Sequence, residues 1–114
     1  MRTNVNKVPR VTKKELRSYL ENSPYKVHKC GDPSQCIIAD FYKDTALRPN
    51  EVVEVFTGST RIKRQTPTGY VTVAERRNAK WVARFISKFD RIRSKSGSVQ
   101  SRTVLKKLGS LLPV

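Results

Sequence analysis

The sequence predicts an α+β fold: two N-terminal helices, a three-stranded antiparallel meander, a long amphipathic basic helix and a short C-terminal tail helix. Two helix-start signals, Thr12 with Glu15 and Asp32 with Pro33, stand in the first third of the chain. β-rich runs then surround the turn residues Gly58-Ser59 and Thr66-Pro67-Thr68-Gly69. From about Ala74 the apolar residues recur at a helical period, and this holds to about Lys95.

Residues 1–11 read as a flexible basic arm bearing Arg2, Lys7 and Arg10, ahead of a single domain over 12–93. Thr12 and Glu15 form a capping box, and Val11 can pack on Leu16. Leu16, Tyr19 and Leu20 give the first helix one apolar face, and Asn22-Ser23-Pro24 stops it. Residues 25–29 read as a short edge strand. Asp32 as N-cap and Pro33 in the first helical position start a second helix running to about Asp44. Cys36, Ile37, Phe41 and either Ile38 or Ala39 face inward. Arg48-Pro49-Asn50 breaks the chain. Residues 51–57 and 60–65 form a hairpin about Gly58-Ser59, and 70–73 a third, short strand. Residues 74–95 form the long helix. Residues 94–103 are a Ser/Gly linker, and 104–114 carry the tail helix, closed by Pro113.

The 114 residues suffice for one compact domain, and 37% hydrophobic residues make a thin core. No apolar run approaches the roughly 18 residues of a membrane span, and residues 1–11 hold no signal-peptide core. Two cysteines make no disulfide scaffold. A soluble, cytoplasmic protein is expected. Lys and Arg number 24 against 9 Asp and Glu, a net charge of +15. Residues 1–60 hold ten cations and seven acids, whereas 61–114 hold fourteen cations and only Glu75 and Asp90. Such a one-sided excess repels itself, and a polyanionic partner relieves it. The plainer reading is a basic chain that is merely soluble or bound to an acidic protein surface.

At 100° per residue, Arg77, Lys80, Arg84, Lys88, Arg91 and Lys95 fall within about 80° of one another on the long helix. Val82, Phe85, Ile86, Phe89 and Ile92 fall opposite, toward the core. A solvated face normally mixes signs, because like charges at i,i+4 destabilise a helix. The stripe holds no acid, which fits a ridge that tracks phosphates; Arg adds a bidentate grip. Arg61, Lys63 and Arg64 on the second hairpin strand extend this surface if that strand lies beside the helix. Such contacts give affinity and salt dependence but read no sequence, and neither zinc-finger spacing nor RNP aromatics are present. Trp81 lies between the two faces, as a partly buried core residue or as a platform for an unpaired base.

His28, Cys30 and Cys36 cluster within nine residues, with Asp32 between them. Tetrahedral zinc needs four ligands, usually in closely spaced Cys pairs, and no second pair exists, which leaves these three with Asp32 or Asp40 as one reading. The alternatives are Cys36 packed as a small hydrophobe with Cys30 in a loop, or a disulfide joining them. No metal or cofactor is expected. With one His, no Gly-rich phosphate cradle, no Ser/His/Asp set and no nucleophile elbow, the chain reads as non-enzymatic. The tail helix shows Val104, Leu105, Leu108, Leu111 and Leu112 on one face and is too short to stand alone in water. It packs on its own domain, or Leu105, Leu108 and Leu112 serve a protein partner or a second copy in a homodimer. A membrane-surface role lacks an aromatic anchor.

The segment Arg76-Arg77-Asn78-Ala79-Lys80-Trp81-Val82-Ala83 is similar to the basic opening of the second helix in double-stranded-RNA-binding domains. The order helix, three strands, helix over 33–95 also resembles that domain. Gly31-Asp32-Pro33-Ser34-Gln35-Cys36-Ile37-Ile38-Ala39-Asp40-Phe41 resembles a loop-into-helix segment of small uncharacterised bacteriophage and prophage proteins. Trp81-Val82-Ala83-Arg84-Phe85-Ile86-Ser87-Lys88-Phe89-Asp90 is similar to their closing helix. This second resemblance implies a phage or bacterial origin, a bacterial cytoplasm, and no particular activity. Two functions are expected. One is non-catalytic, largely sequence-independent binding of DNA or RNA. The alternative is a phage-encoded, anti-CRISPR-like inhibitor seated on an acidic or nucleic-acid-binding surface of a host defence complex.

Overall fold

The computed structural model describes residues 8–29, 32, 34–92 and 97–112. The elements are α1 (Lys13–Asn22), β1 (Val27–Lys29), α2 (Ile37–Thr45), β2 (Glu51–Val55), β3 (Ser59–Thr66), β4 (Gly69–Arg77), α3 (Lys80–Asp90), β5 (Ser98–Gln100) and α4 (Ser101–Leu108), with a 3-10 turn at Gly109–Leu111. They form the α+β arrangement expected, with the antiparallel meander β2-β3-β4 and a second, two-stranded sheet β1-β5. None of the described helices is long and apolar enough to cross a membrane.

α1 begins as its capping box dictates. Thr12 Oγ1 accepts from the Glu15 N–H at 3.1 Å, and the Glu15 carboxylate accepts from the Thr12 N–H at 3.1 Å. Leu16 and Leu20 are buried, with Val11 and Tyr19 packed partly beside them. The arm is held from Val8 onward. Val8 is buried, its carbonyl accepts from Arg76, and the Pro9 carbonyl accepts from the Tyr42 hydroxyl at 2.6 Å. Arg2 and Lys7 lie outside the described residues.

α2 starts later than Asp32 predicts. Asp32 Oδ1 instead accepts from the Ser34 N–H and hydroxyl, each at 2.9 Å, closing a local turn that competes with helix. Cys36 takes the N-cap position, without a side-chain cap bond. Every residue from Ile37 to Tyr42 is then buried, so α2 has no solvent-facing side over its first turn and a half. β2, β1 and α3 pack around it. Burial pushes the Cys36 thiol up to about 11 and the Tyr42 phenol up to about 12.

The meander is longer than predicted. β2 and β3 pair from Glu51↔Arg64 to Val55↔Thr60, and β3 begins at Ser59 within the expected turn. Gly69, at φ +133, closes the Pro67-Thr68 connection. β4 does not stop at Val73: it passes a register shift and pairs on to Ser59↔Arg77. Residues 74–77 are therefore strand, where the period predicts helix. Ala, Glu and Arg favour helix, but the ladder to β3 outweighs that small preference. Asn78 then ends the strand. Its side chain donates to the Phe56 and Thr57 carbonyls and accepts from the Thr60 hydroxyl, while its N–H donates to the Gly58 carbonyl. α3 consequently spans 11 residues from Lys80, with Val82, Phe85, Ile86 and Phe89 buried as their spacing predicts.

The predicted linker is largely ordered structure. Ser98–Gln100 pairs with Val27–Lys29, and α4 starts at Ser101, ahead of the expected Val104. Residues 94–96 of the linker, and Pro113 and Val114, lie outside the described residues. α4 packs on α1 and α3, burying Val104, Leu108 and Leu112, with Leu105 partly covered. Arg17 on α1 donates to the Gly109 and Leu112 carbonyls at 3.0 and 2.8 Å. Of the two expectations for the tail helix, packing on its own domain is the one seen: Leu108 and Leu112, named for a partner face, are buried there and Leu105 is partly covered.

Leu112→Ala is expected to cost about 2–5 kcal/mol in denaturant unfolding, where a free partner-binding leucine would be neutral. Because the Cys36 thiol is raised from 9.0 to about 11 by burial, it favours folding below pH 9 and loses that contribution as pH rises through 11. Cys36→Ala should flatten this alkaline fall in stability.

Candidate nucleic-acid interface

α3 turns its apolar face into the core, and the same period sends Lys80, Arg84 and Lys88 outward at i, i+4 and i+8, with Arg91 following at the C-cap. All four are exposed. The row from Lys80 to Lys88 covers about 12 Å at 1.5 Å per residue. None of these side chains joins an ion pair among the described residues. Arg77 is exposed but belongs to β4, not to the helix, and Lys95 lies outside the described residues.

The strand cations are placed differently. Arg61 lies 3.4 Å from Glu75, Lys63 is 3.0 Å from Glu54, and Arg64 is 3.3 Å from Glu51. Each is answered across the ladder by a glutamate. α3 packs on α4 and α2. The expected extension of the basic surface onto Arg61, Lys63 and Arg64 thus rests on cations already paired with glutamates.

Other cations gather at the two ends of α3. At its start lies a cleft of about 570 Å³ whose lining includes Arg10, Lys13, Arg76, Arg77 and Trp81, and no acid. Four parts of the chain build it: the approach to α1, Tyr42 of α2, the end of β4 and the opening of α3. Arg76 gives one guanidinium hydrogen to the Val8 carbonyl at 3.0 Å, leaving its remaining donors for other partners. Trp81 is half-buried against the core, and the Lys13 ammonium stands 6.0 Å from its ring centroid, a contact worth about 0.5–1 kcal/mol at exposed sites. At the far end, Lys88 and Arg91 share an open groove with Lys107 of α4. Lys13 and Lys107 are the cations here that sequence reasoning missed, while Arg10 and Arg76 stood out only as part of a basic arm and of a basic helix opening.

Near α2 the structure assembles a Ser/His/Asp set that the sequence does not reveal. His28 Nδ1 lies 2.6 Å from Asp40 Oδ2, and Nε2 lies 2.8 Å from Ser101 Oγ. With an ionised Asp40 carboxylate and a neutral imidazole, Nδ1 carries the hydrogen and Nε2 accepts from the Ser101 hydroxyl, whose oxygen also lies 3.5 Å from the Lys26 carbonyl. The order matches an acid–base–nucleophile relay. However, His28 and Ser101 are 0% exposed and Asp40 only 6%, so no substrate atom can meet Ser101 Oγ. The set ties β1, α2 and α4 together, and Lys43 meets the second Asp40 oxygen at 3.5 Å.

The same bonds occupy both ring nitrogens of the His28 that sequence placed among metal-ligand candidates. Cys36 is a free, buried thiol, so it is not joined to Cys30, which lies outside the described residues. Among the described residues, no three His, Cys, Asp or Glu side chains group to hold a metal.

The chain matches no family model, and neither a curated protein nor a solved structure matches it. The local likeness to a double-stranded-RNA-binding helix meets a difference in placement, since Arg76 and Arg77 stand on β4 and the helix opens only at Lys80.

Asp40→Ala should destabilise the fold by about 3–5 kcal/mol, because it strands a buried partner. Ser101→Ala should cost about 1–3 kcal/mol by leaving His28 Nε2 unpaired. Denaturant unfolding of both variants checks this.

Proposed function

We propose that this protein binds the phosphate backbone of nucleic acid, largely without sequence preference and without catalysis, through the exposed side of α3 and the cationic clefts at its two ends. One observation carries the proposal: β3 answers its cations with glutamates, whereas Lys80, Arg84 and Lys88 have no acidic partner among the described residues. Unanswered like charges at i,i+4 spacing weaken a helix, and a cation in the first turn opposes the helix dipole. Lys80 has both disadvantages, so its place on α3 brings nothing to folding. A row of phosphates removes both, and raises the association rate through the field of a strongly basic half-chain. Such a row positions a backbone rather than reading bases, which supports weak sequence preference.

Fluorescence anisotropy with labelled DNA and RNA across a salt series tests this. Binding should fall with a log–log slope of about −3 or steeper, as for about four neutralised phosphates. Lys80→Glu with Arg84→Glu and Lys88→Glu should lower affinity by about two orders of magnitude. Arg61→Ala with Arg64→Ala should change it far less, since those charges are already answered. Weak binding at physiological salt, or indifference to the α3 substitutions, would overturn the proposal and redirect the search to an acidic protein surface.

A further inference from the structure

We propose that the cleft between the starts of α1 and α3 seats one unpaired nucleotide of a single-stranded nucleic acid, its base against Trp81 and its phosphates among Arg10, Lys13, Arg76 and Arg77. This rests on the assignment of α3 as a phosphate-binding surface and adds which strand form that surface prefers. The cleft's volume of about 570 Å³ falls within the roughly 300–1,000 Å³ of small-molecule sites, so a nucleotide fits. Four cations line it, and the Glu15 carboxylate beside it is engaged by the Thr12 N–H and hydroxyl, so the cleft favours an anionic ligand.

Trp81 supplies what a bare anion site would lack. Its indole is anchored on the core on one side and reaches the cleft on the other, a rigid surface on which any base can stack. The Lys13 ammonium above the ring is a weaker contact than a stacked base and sits on a flexible stem. A base arriving at Trp81 therefore displaces it toward the phosphates. In a duplex, bases are paired and stacked on one another, and their faces cannot enter a recess in the protein; an unpaired base can. The cleft also opens onto the row already described. Arg77 lines it and Lys80 follows three residues on, so the next phosphates of the strand meet Lys80, Arg84 and Lys88.

Trp81 is the one tryptophan of the chain, so its emission reports the cleft, while the anisotropy of a labelled strand reports binding anywhere on the protein. Oligo(dT), oligo(rU) and a blunt DNA duplex are titrated against the native protein with both signals recorded. The single strands should quench Trp81 with the same midpoint as the anisotropy, and the duplex should bind more weakly without quenching. The difference between the two oligonucleotides distinguishes deoxyribose from ribose. Trp81→Leu should weaken single-strand binding by about 5- to 150-fold with the salt slope unchanged, because it removes a stacking surface and no charge. Trp81→Phe should restore part of the loss. Since Trp81 also touches the core, the native emission signal keeps the test independent of how well the variants fold. A strand that binds by anisotropy while Trp81 emission stays constant would overturn the cleft assignment and leave the α3 surface standing. A duplex that binds as tightly as the strand would overturn it too. No anisotropy change with any nucleic acid would overturn both.

Discussion

α2 is the element every other part of the domain must satisfy. A helix buried from Ile37 through Tyr42 cannot lie on a surface, and this chain is too basic and too poor in apolar residues to supply a large core around it. Small pieces from distant parts of the chain cover it instead: β2 from the meander, three residues of β1, and α3. Asp40 lies on that buried surface. Its carboxylate is tolerable there because one oxygen meets His28 and the other Lys43, so the charge is paired and hydrogen-bonded. Polar and apolar demands thus converge on the same helix.

The second organising point is Asn78. Through one side chain and one N–H it holds the Phe56–Gly58 loop, ends β4 and sets where α3 departs. Had the helix run from residue 74, Arg76 and Arg77 would lie along it. The early strand end instead brings both beside Arg10 and Lys13, which is what creates a basic recess and not merely a basic ridge. The division of charge falls just before that boundary. Glutamates answer Arg61, Lys63 and Arg64 across the ladder, whereas Arg76 and Arg77, opposite Thr60 and Ser59, and the cations of α3 meet no acid among the described residues.

Local signals in the sequence were legible where the physics is local. The Thr12–Glu15 box, the apolar face of Val82, Phe85, Ile86 and Phe89, and the outward row Lys80, Arg84, Lys88 all depend on neighbours within a few turns. Boundaries set by distant partners were not. Residues 74–77 have helix-favouring composition, and only their pairing with Ser59–Ile62 makes them strand. Ser98–Gln100 looks like a tether because three residues with one apolar member, Val99, are too few to show a period; Val27–Lys29 supplies the reason it is a strand. The outward row was therefore visible, whereas the recess at Trp81 was not, since its cations come from positions up to 67 apart in the chain, Arg10 to Arg77. His28 and Ser101, separated by 73 positions, escaped for the same reason.

That separation also bears on how the chain is made. β1 has no strand partner until Ser98–Gln100 exists, and His28 has no acceptor-side partner until Ser101 does. A nascent chain that has emerged only as far as α3 holds α2 with part of its cover missing and a histidine without one of its two bonds. Long-range closures of this kind slow folding, because the connecting loop must be ordered before its contacts form. β1 and His28 therefore complete their pairing only once the chain beyond α3, β5 and α4, is in place. During that interval an incomplete apolar cluster is exposed alongside a strongly cationic segment. Like-charged segments repel one another, so a net charge of +15 works against association between partly folded copies of this chain.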